Sequence, residues 1–384
     1  MRTFLAVIGL AGAMSLALAP QMAPAGEPAV APPLRHDNLA VYFLRGPSAK
    51  GPVPLTLKEA LIKGHVTVRE TDTVERLEIE NAGSEAVFVQ AGDIVKGGKQ
   101  DRVLTVSFLV PPKSGPMPIG AYCVEQGRWR ARGLERVDRF ASSENYLPSR
   151  RAKMALAVAA LPQAAPPAAS AGVRPALPTE QRTANGVSDA MLRNRVEPFG
   201  VGGTPRPAAA QRSGQGEVWA SVAEAQAKLS ANLGADVAAG ESRSSLQLAL
   251  ENQKLADRRK GYLAAIEPRA GDGDILGVVF AINGRIVSGE LYPSNGLFRK
   301  MWPKLAEAAA IEAIGEADGK TANVEKPATL DDVRAFIADA DKGKAHVTEI
   351  DTRLKRDARD GTKAIAVSTV ALDGTVLHRS YVAK

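Results

Sequence analysis

The chain has 384 residues, 45% of them hydrophobic, with a formal net charge of +7 and a single cysteine, Cys123. The length allows two domains or one large one, at about 100 to 200 residues each, and one cysteine excludes an internal disulfide, so a packed core must hold the fold. A folded nucleic-acid face is not expected, because the surplus is local: residues 149–214 hold nine Arg or Lys against three acids, with Phe199 their only aromatic, and the remainder is close to neutral.

The first residues read as an export signal. Arg2 gives a positive start, Phe4 to Ala19 is apolar, and Ala23-Pro24-Ala25 offers the small-x-small pattern a signal peptidase accepts. Removal of residues 1–25 and an extracytoplasmic setting, periplasmic or secreted, are therefore expected. The apolar run falls short of the roughly 20 residues a bilayer span needs, and no later stretch is long enough, so no membrane span is expected after cleavage.

Residues 26–154 read mostly as β-structure. Leu39 to Leu44, Val66 to Glu70, Val74 to Glu80, Ala86 to Gln90 and Val103 to Val110 are rich in Val, Ile, Leu and Phe, and Leu77-Glu78-Ile79-Glu80 alternates as a half-solvated strand does. One helix interrupts them, opened by the capping box Thr56 with Glu59 and stopped at Gly64. Residues 155–214 are dominated by Ala, Pro and Gly without a sustained period, which predicts a disordered insertion or linker.

From residue 215 the period changes. Trp219, Val222, Ala223 and Leu229 share a helical face ending at Gly234, and Ser245 to Arg259 continues helical. Asn283-Gly284 predicts a tight hairpin between Ile275 to Ile282 and Arg285 to Leu291. Helices are expected over Pro303 to Ile314 and Thr329 to Ala340, the second capped by Thr329 with Asp332, and a last hairpin turns at Asp373-Gly374. The fold class expected is α+β, a mainly antiparallel sheet or sandwich completed by the helices and hairpins of the second half.

The chemistry-bearing residues concentrate in two places. Asp93, Gly97, Gly98, Lys99, Gln100, Asp101 and Arg102 crowd one turn between strands. This is no phosphate-binding P-loop, since Gln100 stands where Ser or Thr is required and a strand follows where a helix should. A plain tight turn capped by Asp93 and Asp101 competes with a ligand site there. The second place is Cys123-Val124-Glu125-Gln126-Gly127-Arg128-Trp129, in which Cys123 and Glu125 would share one face of a strand and Trp129 would form a wall. A lone thiol is usually a small buried hydrophobe, and Glu125 with Arg128 is equally an ordinary ion pair. His36, His65, His346 and His378 carry no ligand spacing, and Gly271-Asp272-Gly273-Asp274 lacks the later ligands of a calcium loop, so no metal or cofactor is expected.

Asn38-Leu39, Val41-Tyr42, Leu55 to Leu61, Gly92 to Arg102, Cys123 to Trp129, Gln215 to Trp219, Gly277 to Gly284, Leu297-Phe298 and Lys304-Leu305 together resemble the ARG and Rhodanese-Phosphatase-superfamily-associated protein domain family, and Val376-Leu377-His378 agrees more loosely. The resemblance implies no established reaction. It does imply one composite domain, with residues 26–154 and 215–384 as its halves and the Ala/Pro-rich segment looping out, and a single site formed by Gly97-Gly98, Asp101-Arg102 and Glu125 to Trp129.

The function expected is a binding module for a small polar or anionic ligand, with Arg102 and Arg128 as donors, Asp93 and Asp101 orienting them and Trp129 as a wall. The alternatives are a hydrolase-like enzyme using Glu125 or Asp101 as general acid or base, with Cys123 a remote nucleophile, and a purely structural envelope protein. Oligomeric state cannot be read from the chain.

Overall fold

The structure, a computed structural model, describes residues 28–71, 73–128, 130–162, 208–268, 272–317 and 326–384. The expected signal segment, Trp129, Gly271 and most of the Ala/Pro-rich stretch lie outside the described residues. The first half contains β1 (Ala29–Val30), β2 (Leu34–His36), β3 (Leu39–Arg45), β4 (Leu55–Thr56), α1 (Leu57–Ile62), β5 (Val66–Glu70), β6 (Arg76–Asn81), β7 (Val87–Val89), β8 (Asp93–Gly97), β9 (Arg102–Leu104), β10 (Phe108–Val110), β11 (Ser114–Cys123), β12 (Phe140–Tyr146) and α2 (Arg150–Ala159). The second contains α3 (Ala208–Leu233), α4 (Leu246–Leu250), α5 (Gln253–Ile266), β13 (Ile275–Ile282), β14 (Arg285–Leu291), α6 (Asn295–Gly315), α7 (Leu330–Asp341), β15 (Lys344–Glu349), β16 (Leu354–Asp360), β17 (Ala364–Ala371) and β18 (Val376–Ala383).

The architecture is α+β with almost wholly antiparallel sheets. A nine-stranded sheet runs β1-β3-β13-β14-β18-β17-β16-β15, with β2 also on β3; a six-stranded sheet runs β12-β8-β9-β11-β6-β5; and a small sheet runs β10-β7-β4, whose β4–β7 pair is parallel. The first-half strand β3 lies against β13, from Leu39 opposite Ile282 to Arg45 opposite Ile275. Its two faces are both buried: Leu39, Val41 and Phe43 join one apolar cluster with Phe298 and Trp302 of α6, while Ala40, Tyr42 and Leu44 join another with Phe336 and Ile337 of α7. A strand covered on both faces reads as a continuous apolar run rather than an alternating one, which is what Leu39 to Leu44 is.

Local signals place several boundaries. The Thr56 hydroxyl accepts the Glu59 amide at 3.2 Å while the Glu59 carboxylate accepts the Thr56 amide at 2.8 Å, and the same reciprocal box joins Thr329 and Asp332. Asn283 and Gly284 both take positive φ (50° and 75°), as the two-residue β13–β14 turn requires.

Other expectations are corrected. The helix expected from Pro303 begins eight residues earlier, at Asn295, where the Ser294 hydroxyl accepts the Leu297 amide at 3.2 Å. Pro303 sits in its interior despite its missing amide, because Phe298, Met301, Trp302 and Leu305 are all buried around it. The single helix expected over Ser245 to Arg259 divides into α4 and α5 at Asn252, whose side chain caps the Lys254 amide at 3.0 Å. The run expected over Val103 to Val110 breaks into β9 and β10, which belong to different sheets. Finally, the stretch expected to be linker from Ala155 to Gly214 is helical at both described ends. Alanine is the best helix former, and Ala157 of α2 packs with Ile365 and Val382.

Because β3 pairs with β13 and is covered by α6 and α7, fragment 28–162 alone leaves that strand exposed and should be insoluble or unfolded. Co-expressed with fragment 208–384 it should co-purify as a folded complex, judged by gel filtration and near-UV circular dichroism; a 28–162 fragment that folds alone with native-like spectra would contradict this architecture.

Candidate functional site

The glycine-rich turn connects β8 to β9. Gly97 (φ 114°) and Gly98 (φ 57°) take left-handed backbone, and a Cβ on Gly98 would collide with the Phe140 ring and the Glu70 carboxylate, so only glycine fits. β11 ends at Cys123, and residues 124–127 bend away, so Glu125 is not a strand neighbour of Cys123 as expected. The bend instead carries Glu125 beneath the turn, where both of its oxygens accept the Arg128 Nε (2.9 and 2.8 Å) and one also accepts the Asp101 amide (3.2 Å).

Asp101 is the hub. Its carboxylate accepts the Gly97 amide at 2.9 Å, the Ser245 hydroxyl at 3.0 Å and a two-pronged contact from Arg132 at 3.0 and 3.2 Å. Ser245 in turn caps α4 by accepting the Leu248 amide at 3.1 Å. One carboxylate thus ties together the β8–β9 turn, the 124–135 loop and a helix of the second half. Asp101 and Glu125 are both 0% exposed, and Arg128 is buried beside them. Buried charges survive only when paired and hydrogen-bonded, and these are.

The fate of Arg128 corrects its expected role. Nε–H is taken by Glu125, Nη1 donates to the carbonyls of Gly98 (3.1 Å) and Arg130 (2.6 Å), and Nη2 donates to the carbonyl of Gly97 (3.2 Å) and lies 3.5 Å from Asp101. A guanidinium has five N–H donors. Four of them are hydrogen-bonded internally and the fifth faces Asp101 at 3.5 Å, so Arg128 holds the loop rather than a ligand. Arg102 is 1% exposed and points to the opposite side, donating to the Gln100 carbonyl (2.8 Å) and to Glu70 (3.4 Å). Asp93 stands at the far end of β8, where it accepts Lys304 of α6 at 2.7 Å and the Gln90 amide at 3.1 Å. Lys99 gives its backbone amide to Glu70 at 2.8 Å. The structure therefore brings together Gly97, Gly98, Asp101, Glu125 and Arg128, turns the Arg102 guanidinium onto Glu70 and the Gln100 carbonyl of the same turn, and leaves Asp93 apart at the other end of β8. Buried Gln100 leaves both side-chain amide atoms, and Arg102 its Nε, without a hydrogen-bond partner among the described residues.

Cys123 is fully buried, and burial pushes its thiol up to about 11, which keeps it protonated and unreactive near neutral pH. Asp272 and Asp274 both bind Arg45, at 3.0 and 2.6 Å.

Above this network lies an open groove of about 1200 Å³ between residues 126–133 and 240–244. Its walls are tied by Gln126 and Ser244, whose main chain and hydroxyl exchange bonds of 2.9 and 2.8 Å. Arg130 is exposed there and forms no ion pair among the described residues, while Arg243 opposite is exposed and paired to Asp236 at 2.7 Å. Arg130 and Arg132 were not singled out from sequence, although the alternation Arg128, Arg130, Arg132 was the available signal.

Sequence reasoning also missed a second buried polar set around Asp93. Tyr292 donates to the Gln90 side chain (2.6 Å), which donates to Tyr146 (3.2 Å), and Glu290 meets His378 at 2.8 Å and the Ser380 hydroxyl at 3.2 Å. Burial holds the Tyr146 and Tyr292 hydroxyls well above their ordinary range, hence neutral.

Replacing Asp101 with Ala strands Arg132 and Arg128 beside Glu125, and removing one partner of a buried pair costs about 3 to 5 kcal/mol; urea unfolding should register that loss, and a change below about 1 kcal/mol would contradict the hub role. Cys123 should resist iodoacetamide at pH 8 in the native protein and react fully in urea, as followed by intact mass.

No curated protein and no solved structure matches the chain. Residues 27–382, which take in both halves, the turn, the loop and the groove, match the ARG and Rhodanese-Phosphatase-superfamily-associated Protein domain, and the chain belongs to that family.

Proposed function

We propose that the protein is a binding module for a small anionic ligand, held in the groove between residues 126–133 and 240–244 with Arg130 as its principal donor. The observation that carries this reading is the division of labour on one loop. Arg128 and Arg132 are locked into buried carboxylates and carbonyls, which fixes the backbone, and Arg130 between them is left exposed with its guanidinium uncommitted among the described residues. A rigid loop presenting one free guanidinium loses little entropy on binding, and guanidinium is the side chain best suited to forked contact with carboxylate or phosphate oxygens. The export-like residues 1–25 support an extracytoplasmic setting, which a mature amino terminus far from Gly26 in the native host would refute.

Loss of Arg130 removes a charge-assisted contact of about 1.5 to 3 kcal/mol, so Arg130→Ala should weaken a bound anion by about ten- to a hundredfold with an unchanged melting temperature. Arg128→Ala should do the reverse and melt early. Calorimetric titration with a panel of small carboxylates and phosphates separates the two. A wild type that binds no anion, or an Arg130→Ala variant that binds equally well, would refute the groove reading.

A further inference from the structure

A second cavity, sharing no lining residue with the arginine groove, lies where α2 meets β12, β17 and β18. It has a volume of about 40 Å³ and is partly open to solvent. Lys153 of α2 lines it and is only 7% exposed. An ammonium has three donors, and a buried one is costly unless they are used. Among the described residues Lys153 makes a single hydrogen bond, to the Ser288 hydroxyl at 3.3 Å. Its nearest carboxylate, Glu312, stands 3.9 Å away, too far for a hydrogen bond, and burial pushes the Glu312 carboxyl up, toward its neutral form. The face of the Tyr146 ring lies 5.6 Å from the ammonium. Lys153 is thus a buried cation with donors to spare, on the wall of a hollow.

The rest of the lining divides by chemistry. Leu156, Ala157, Ala160, Val367 and Val382 give one apolar side. Tyr146, Ser107, Ser380 and Thr369 give a hydroxyl-rich side, and Arg356 is a second cation on the rim. The hydroxyls differ in commitment. Thr369 donates to the Ser107 carbonyl at 2.6 Å, Ser380 to Glu290 at 3.2 Å and Tyr146 to the Ala91 carbonyl at 2.8 Å. Ser107 accepts the Ala91 amide at 2.9 Å, and among the described residues no acceptor takes its own proton. An under-used ammonium and an available hydroxyl on one side, with aliphatic walls on the other, match a carboxylate that carries a short apolar body. Size sharpens the match. A water-sized probe needs about 10 to 15 Å³ of such space, so about 40 Å³ takes roughly three to four heavy atoms: acetate has four, propionate with five is the upper limit for a hollow partly open to solvent, and nucleotides and sugars are too large.

We propose that this cavity is a binding site for a short-chain carboxylate, with Lys153 as its charge partner, Ser107 as a hydroxyl donor and the α2 alanines as the wall that sets chain length. The site is separate from the arginine groove and stands whether or not the groove binds anything.

The test is titration of the protein with ¹³C-carboxyl-labelled propionate at constant ionic strength, read by saturable shift and broadening of the labelled resonance. Binding should saturate in the wild type and be about ten- to a hundredfold weaker in Lys153→Met. Ala157→Leu, which fills the hollow while keeping every charge, should also abolish it, and this variant decides the matter if Lys153→Met does not fold. Arg130→Ala should bind propionate as the wild type does, which separates this site from the groove. Hexanoate and inorganic phosphate should compete poorly. No saturable binding to the wild type, equal binding to Ala157→Leu, or phosphate binding more tightly than propionate would each overturn the proposal.

Discussion

The pairing of β3 with β13 is the constraint on which everything else rests. β3 belongs to the first half and is covered on both faces by helices of the second, α6 on one side and α7 on the other. Tyr42, fully buried in that strand, donates to the Ala328 carbonyl just ahead of α7, and Asn38 at its start donates to the Ala313 carbonyl of α6 at 2.9 Å. The first half buries one cluster largely by itself, from Leu55 to Phe140, but the two clusters on the faces of β3 are shared between the halves. For the two faces of β3, burial at about 25 cal/mol per Å² is therefore realised only when the two halves are together.

A core assembled from distant segments brings polar side chains inside with it, and this protein resolves the difficulty by pairing them across the halves. Asp93 of β8 finds Lys304 of α6, and Asp101 finds Ser245. Such pairs gain little net energy over apolar packing, since desolvation offsets attraction, but a missing partner is expensive. They act on register: β8 cannot slide by one residue without turning Asp93 away from its ammonium and burying it unpaired.

This division explains what was legible in the sequence. Elements set by neighbours in the chain were readable, as at the Thr56 and Thr329 capping boxes and the Asn283-Gly284 turn, because the residues that fix them sit within three positions of one another. Pro303 misled, since its local preference for a helix start is overridden by burial of Trp302 and Leu305. The β15–β16 hairpin was invisible because β15 is an edge strand exposed on both faces and shows no apolar alternation. The Gly97 to Arg102 turn and the Glu125 to Arg128 bend were legible as dense in polar groups. Their partners were not readable, because Arg128 spends its donors on carbonyls some 30 residues away, and no local pattern encodes that.

Counting donors against acceptors, rather than counting charges, is what separates frame from site here. Arg128 and Lys153 are both buried cations beside carboxylates, and composition treats them alike. Arg128 has four of its five donors hydrogen-bonded internally and Asp101 at 3.5 Å beside the fifth, so a ligand could take it only by breaking the loop that it holds. Lys153 has three donors and one hydroxyl within reach. The Ala-rich sequence of α2 is the reason: its small side chains let the helix lie close to β17 and β18, and the same smallness leaves the hollow that Lys153 lines. A cation in that position is stable only with an acceptor beside it, and the fold provides the space for one.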